Sequence, residues 1–419
     1  MNSEQAITSM AQSAQKAGRV LASIPTSKKN HALRRMAQAL VRHQDYLTAE
    51  NKKDLAGAQS QNYSKALIDR LTLTEKIINE MKNCLSDTAK LKDPVGQVME
   101  SFKRPNGLWI QKIRVPLGVV AIIYESRPNV TSDAIGLCLK SGNAAILKGG
   151  REALYSNQAV FKILRDELSK TEIPIDAIQL LPSDDRRAFG FLLKLDKYVD
   201  VVIPRGGEEL IHFVAENTRI PVIKHYQGIC HTYVSEHADL NMAHKICMNA
   251  KVQKPGVCNA METMLIHKDA ALRFLPVIVE DMQKAGVEIR GCPLTRKIVK
   301  KAIKAASEKD WDTEYLDLIL SVKVVDRLEE AIDHINTHGS HHSDCIVTED
   351  KKEAKQFLQS VDSACLYVNA STRFTDGHQF GFGAEIGIST DKLHARGPMA
   401  LNELTTYKYL VFGKGQIRS

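Results

Sequence analysis

No two of the eight cysteines form a C-x-x-C pair; Cys84, Cys138, Cys230, Cys247, Cys258, Cys292, Cys345 and Cys365 are scattered along the chain. That spacing excludes a zinc framework and a secreted disulfide scaffold, and it suits a reducing compartment, so a cytoplasmic location is expected. Long apolar runs are missing too. The best, residues 115–124, is broken by Pro116 and Gly118 and falls short of the roughly 20 residues a membrane helix needs, so no membrane role is expected. Residues 1–10 carry Glu4 and neither a basic stretch nor an apolar core, so no secretory leader is expected there. Internal repeats, low-complexity segments and long linkers are absent, which predicts closely packed domains. Charge of one sign is scarce as well. Lys plus Arg number 57 and Asp plus Glu 49, and the resulting +8 fits anionic small molecules as well as nucleic acid. With 43% hydrophobic and 25% charged residues, the 419-residue chain is neither disordered nor collagen-like. Its length predicts roughly two to three domains.

What is present reads as helices first. Thr72-Leu73-Thr74-Glu75 has the capping-box pattern, and Ile77, Ile78, Met81, Cys84 and Leu85 supply one apolar helical face. Residues 102–114 loosely alternate around Pro105-Asn106-Gly107, a hairpin signal and a candidate oligomer contact. From residue 117 apolar runs at 119–123, 144–147, 179–181, 199–203 and 221–223 alternate with helical stretches at 131–140, 153–168, 184–193 and 206–216. Continuous Val/Ile-rich runs separated by crossovers predict a doubly wound parallel sheet, with ligands at the carboxyl ends of its strands. A second α/β region has expected strands at 231–234, 263–266, 322–325, 345–347 and 365–368, and residues 405–412 read as a tail strand.

A lone cysteine is usually a small buried hydrophobe. Cys258 differs, because Pro255-Gly256 forces a loop before it and Lys251 and Lys254 lie nearby. Exposed loop geometry and neighbouring cations favour the reactive thiolate. Gly206-Gly207 follow a predicted strand and open a helix, so their N–H groups can approach an anion; a plain strand-to-helix turn explains them equally well. His334, His338, His341 and His342 cluster without acid or thiol ligands at a zinc spacing. A solvated loop and no metal are expected there.

In order along the chain, Gly118-Val-Val-Ala-Ile-Ile123, Ser141-Gly-Asn-Ala-Ala-Ile-Leu-Lys148, Arg205-Gly-Gly-Glu208, the Cys258 loop, Ile335-Asn336 with Gly339, and Phe380-Gly-Phe-Gly383 resemble the aldehyde dehydrogenase superfamily. Residues 115–129, 254–263, 387–390 and 394–398 are similar to its branch that reduces an acyl phosphate. The resemblance implies a doubly wound cofactor domain (1–101 and 115–226, binding NADP), a second α/β catalytic domain (227–392), and an oligomerisation element (102–114 and 404–419). It implies NADPH-dependent reduction of L-glutamyl 5-phosphate to L-glutamate 5-semialdehyde through a Cys258 thioester, a step of proline biosynthesis. The implied partners are that substrate, a glutamate 5-kinase supplying it, and further copies of the chain as a dimer or larger; no nucleic acid is expected.

By the same resemblance Lys148 holds the adenosine ribose, Gly206 and Gly207 meet the pyrophosphate, and Glu314 touches the nicotinamide ribose. Three departures matter. His225-Tyr-Gln-Gly228 replaces the family's Glu-Leu-Gly-Gly, removing the glutamate that activates water. Ser126 and Asn129 stand near the family's oxyanion asparagine. Arg151 replaces the acid of Lys-x-x-Glu, which favours a 2′-phosphate. Arg127 and Lys254 are candidates for substrate phosphate or carboxylate, with exposed salt bridging the equal alternative. Two rivals stay open: an acylating reductase taking a CoA thioester, and an idle relative binding nucleic acid, against which the intact Cys258 loop speaks.

Overall fold

The structure is a computed structural model describing residues 3–181, 186–224 and 226–418. The chain divides into two units. The first comprises Met1–Lys224, Gly381–Gly387 and Met399–Ser419, and the second His225–Phe380 and Ile388–Pro398.

The first unit opens with the helices Ser3–Leu21, Thr26–Arg42, Gln44–Ser60, Lys65–Leu71 and Glu75–Lys90. The last buries Ile78, Met81, Cys84 and Leu85, as its helical spacing predicts. Its cap is Thr74, whose hydroxyl accepts the Ile77 N–H, not Thr72 as the capping-box pattern suggests. The Thr72 hydroxyl instead belongs to the preceding helix, donating to Ile68 O at 2.7 Å.

A four-stranded sheet follows in the order Ile178–Leu180, Ala144–Lys148, Val119–Tyr124, Val201–Arg205, every pairing parallel. Val119–Tyr124 is buried throughout, as a strand covered on both faces must be. The strand order reverses between Val119–Tyr124 and Val201–Arg205, which makes the carboxyl ends of those two strands the topological switch point. Residues 221–223, read as a strand, make only the bridge Val202↔Val222. Pro221 has no N–H for a ladder, although its carbonyl accepts the Val202 N–H at 2.9 Å. A separate antiparallel sheet joins Val98–Lys103, Trp109–Pro116 and Thr405–Phe412. Its hairpin strands thus extend beyond residues 102–114, and Gly107 supplies the positive φ (+88°) at the turn.

The second unit is built on seven parallel strands in the order Lys304–Ala305, Glu288–Gly291, Ile319–Val325, Met261–His267, Cys230–Val234, Ser343–Val347, Cys365–Val368. The two strands at the first edge escape the apolar-run criterion because Glu288, Arg290 and Lys304 put charge on them. Among the described residues no helix is long and apolar enough to cross a membrane.

Candidate active site

In the first unit the parallel register sets Lys148 beside Ile123 and Arg205 beside Tyr124, so both cations end their strands at one edge of the sheet. Glu125 follows there, at the switch point. Its Oε2 accepts the Gly207 N–H at 3.1 Å, where Gly207 caps the helix Glu208–Asn217. Burial, opposed by that bond and reinforced by the Glu152 charge, raises the Glu125 carboxyl above the usual range. A Cβ on Gly206 would lie 2.3 Å from the Glu125 carboxylate, whereas one on Gly207 would meet nothing within 4 Å. The helix end thus has room at Gly207, where a carboxylate oxygen already takes the N–H, a donor that a diphosphate oxygen would also suit. Lys148 Nζ lies 5.2 Å from the centre of the Phe189 ring, and Arg151, which is exposed, opens a short 3-10 turn.

Both side chains considered as oxyanion donors are engaged. Ser126, at φ +54°, donates its N–H and hydroxyl to Glu152 Oε1 at 2.6 and 3.2 Å. Asn129 begins the helix Asn129–Lys140 and donates from Nδ2 to Asp133 Oδ2 at 3.0 Å. Arg127 between them is exposed.

In the second unit Cys258 lies in the turn joining the helix Leu240–Val252 to the strand Met261–His267, at the amino edge of the sheet. It is half-buried, whereas the other seven thiols are buried. Its loop is clamped at both ends, because Lys251 Nζ donates to Glu262 Oε2 at 2.6 Å with both side chains fully buried. Burial pushes the Lys251 ammonium down and the Glu262 carboxyl up, each opposed by the other's charge. The expectation that Lys251 acts as a cation beside the thiol therefore needs correction, because Lys251 is neutralised by Glu262; Lys254 is exposed in the loop.

The cation beside the loop is Arg373, which sequence reasoning missed. Its Nε donates to Gln253 Oε1 at 2.9 Å and its Nη1 to Asn259 Oδ1. Asn259 in turn donates from Nδ2 to Thr375 O at 2.8 Å, and its carbonyl accepts the Thr372 hydroxyl at 2.8 Å. Burial lowers the Arg373 guanidinium, with the Cys258 charge foremost among those opposing. Cys230 Sγ donates to Cys258 O at 3.2 Å. Burial, with the charges of Asp344, Cys258, Glu262 and Glu314, pushes the Cys230 thiol well up, so it stays protonated. Glu314 is half-buried between the helix Glu308–Trp311 and the strand Ile319–Val325.

Gly228 was also missed. A Cβ there would lie 2.0 Å from Cys258 O and 2.4 Å from its Cα, so only glycine lets this segment pass. The stretch replacing the family's glutamate thus lies against Cys258 and carries no carboxylate at residues 226–228; His225 lies outside the described residues.

The histidine cluster is not a solvated loop. His334 is 4% exposed and His342 0%. His231 Nδ1 pairs with Asp344 at 3.1 Å, and Lys323 Nζ donates to His334 Nδ1 at 3.2 Å. Burial, with His231, Lys323 and His338 around it, drives His334 down to about 2, so it is neutral. Among the described residues, the groups able to hold a metal are Glu236/His237/Glu353 and Glu236/His267/Asp269, and neither includes the four clustered histidines.

A doubly wound unit with an anion-ready helix end, and a second parallel α/β unit with one accessible thiol in a clamped loop, define an aldehyde dehydrogenase-like oxidoreductase. The model of the aldehyde dehydrogenase family matches residues 1–297. The gamma-glutamyl phosphate reductase of Nautilia profundicola is 56% identical over 96% of this chain and 97% of that protein. The gamma-glutamyl phosphate reductase of Moorella thermoacetica is 53% identical over the whole of both. The crystal structure of gamma-glutamyl phosphate reductase from Thermotoga maritima matches with TM-score 0.96 and 46% identity, covering 99% of this chain and 100% of that one. The chain belongs to the aldehyde dehydrogenase family, in its gamma-glutamyl phosphate reductase group.

Proposed function

We propose that the chain reduces L-glutamyl 5-phosphate to L-glutamate 5-semialdehyde and inorganic phosphate with NADPH, the second step of proline biosynthesis from glutamate. The observation that carries this reading is the Cys258 loop, accessible at the thiol and clamped at both ends, in a chain 56% identical to a named reductase of that phosphate.

The Cys258 thiolate attacks the acyl carbon. As the S–C bond forms, the C–O bond to the phosphate breaks, and its electron pair leaves with phosphate, which takes up a proton. Bound NADPH supplies the hydride equivalent that reduces the thioester. The resulting hemithioacetal oxyanion on Cys258 collapses, breaking the C–S bond and returning the electron pair to sulfur. Covalent capture divides one hard displacement into easier steps. The Cys258 backbone N–H is the oxyanion donor we assign. Lys148, Gly206 and Gly207 would hold the cofactor's ribose and pyrophosphate, Glu314 its nicotinamide ribose, and Arg151 the 2′-phosphate that selects NADP.

Eight thiols without a disulfide support a cytoplasmic location. Tyr407, Tyr409 and Val411 are exposed on one face of the three-stranded sheet, and Trp109 and Phe412 on the other, which supports its use as a contact between copies. A glutamate 5-kinase is the fitting source of so labile an acyl phosphate. The test couples the protein to such a kinase, with ATP and glutamate, and follows NADPH consumption. Oxidation that depends on the kinase is expected. Turnover of a CoA thioester instead, with none of the acyl phosphate, would replace this reading with the acylating rival.

A further inference from the structure

We propose that Arg373 is the phosphate-binding residue of this site, receiving the phosphoryl group of the acyl phosphate beside Cys258. The inference rests on the acyl-phosphate reading above and adds to it the group that reads the substrate's leaving end.

Three observations carry it. The first is placement. Arg373 is tied to Asn259, the residue after Cys258, and to Gln253, at the start of the same loop. The Thr372 hydroxyl and the Thr375 carbonyl fasten its own segment to Asn259 on either side. The guanidinium is therefore fixed relative to the nucleophile by the loop that carries it.

The second is charge. Both hydrogen bonds end on neutral amides, and among the described residues no carboxylate lies within ion-pair distance of Arg373. Burial makes such a cation costly, the Cys258 and Asp376 charges offset only part of that cost, and an arriving dianion offsets more. Lys251 shows the contrast, since its charge is spent on Glu262.

The third is chemistry. Arginine presents five N–H donors in a planar fork that matches phosphate oxygens. Nε and Nη1 each use a donor on the loop, which leaves the rest of the fork to bind an anion. Negative charge grows on the departing phosphate as the C–O bond breaks, and a fixed cation there stabilises that charge. In the reverse direction the same group positions inorganic phosphate for attack on the thioester.

The test uses the full chain in the reverse direction, oxidising glutamate 5-semialdehyde with NADP⁺, and compares wild type with Arg373→Gln and Arg373→Lys. A charge-assisted bond is worth enough that Arg373→Gln should raise the KM for inorganic phosphate roughly tenfold or more. Arg373→Lys should recover part of that loss, and the KM for the semialdehyde should stay close to wild type. A second readout is independent of turnover. Iodoacetamide alkylates Cys258, the one thiol not buried; inorganic phosphate should slow that reaction in wild type and not in Arg373→Gln.

A KM increase for the semialdehyde with none for phosphate would assign Arg373 to the substrate's α-carboxylate and overturn the proposal. So would a fall in kcat with phosphate protection intact, the signature of a purely structural role. Should wild type show no phosphate-dependent turnover, the acyl-phosphate reading fails. Arg373-dependent protection by phosphate would then still uphold the anion site, and no protection in wild type would overturn it.

Discussion

Replacing Lys251 by Met should convert a pH-indifferent protein core into a pH-sensitive one. Lys251 and Glu262 are both fully buried and 2.6 Å apart. Between about pH 5 and 10 the unfolded chain holds one proton on this pair, as a charged lysine and an ionised glutamate. The folded pair also holds one, whichever atom carries it, so the pair adds no pH dependence in wild type. Without Lys251, burial acts on Glu262 unopposed, and its carboxyl, raised even with the lysine present, rises further. A folded pKa above the unfolded value means that stability is retained at low pH and lost as pH rises. The folded variant keeps a proton that the unfolded chain releases above about pH 4.3, which costs about 1.4 kcal/mol per pH unit. The deficit against wild type should therefore grow from pH 6 to pH 8, by up to about 2.7 kcal/mol while the folded carboxyl keeps its proton, on the scale of the roughly 3–5 kcal/mol typical of breaking a buried pair.

The assay is urea unfolding at both pH values, followed by Trp311 fluorescence in a Trp109→Phe background, since these are the two tryptophans. The double variant Lys251→Met/Glu262→Gln keeps an acceptor for the Leu316 N–H, bound at 3.2 Å by Glu262, and should regain most of the stability at either pH. A Lys251→Met deficit of equal size at pH 6 and pH 8 would refute the shared-proton reasoning.

Cys258→Ser should fold and bind NADPH yet lose turnover, because a hydroxyl without a base is a poor nucleophile; Cys84→Ser and Cys292→Ser, at buried positions, should retain activity in the same NADPH assay. Arg151→Glu should raise the KM for NADPH roughly tenfold more than that for NADH, since it exchanges a charge-assisted bond for repulsion. Gly228→Ala must move the Cys258 backbone, because its Cβ would lie 2.0 Å from Cys258 O. A shift of about 1 Å at a reacting centre costs on the order of 10²-fold, so kcat should fall by that much while NADPH titration by fluorescence is unchanged.

Strands such as Val119–Tyr124 were legible because burial on both faces leaves an unbroken apolar run. The edge strands Glu288–Gly291 and Lys304–Ala305 were not, since an edge tolerates charge. The switch-point glycines and the Cys258 loop could be read locally, from turn residues next to a strand or helix. What fixes the Cys258 loop in place could not. Arg373 lies more than a hundred residues beyond Cys258, and the signal available was a polar run, Asn369 to Asp376, directly after the strand Cys365–Val368. Lys251 looked like a cation for the thiol because proximity in sequence conceals its partner, Glu262, across the loop. The histidines read as solvated because their spacing fits no metal, yet His334 and His342 are buried within the second unit.

The central claim is that Cys258 forms a thioester that phosphate, and not water, resolves. Residues 226–228 offer no carboxylate beside Cys258 to activate water, and a positioned base contributes roughly 10²–10⁴-fold. The decisive measurement follows NADPH formation from glutamate 5-semialdehyde and NADP⁺ as inorganic phosphate is varied, with free glutamate assayed among the products; the assay allows for cyclisation of the semialdehyde to pyrroline-5-carboxylate. The account predicts a rate that saturates with phosphate and falls to background without it. Sustained turnover to free glutamate in the absence of phosphate would contradict it.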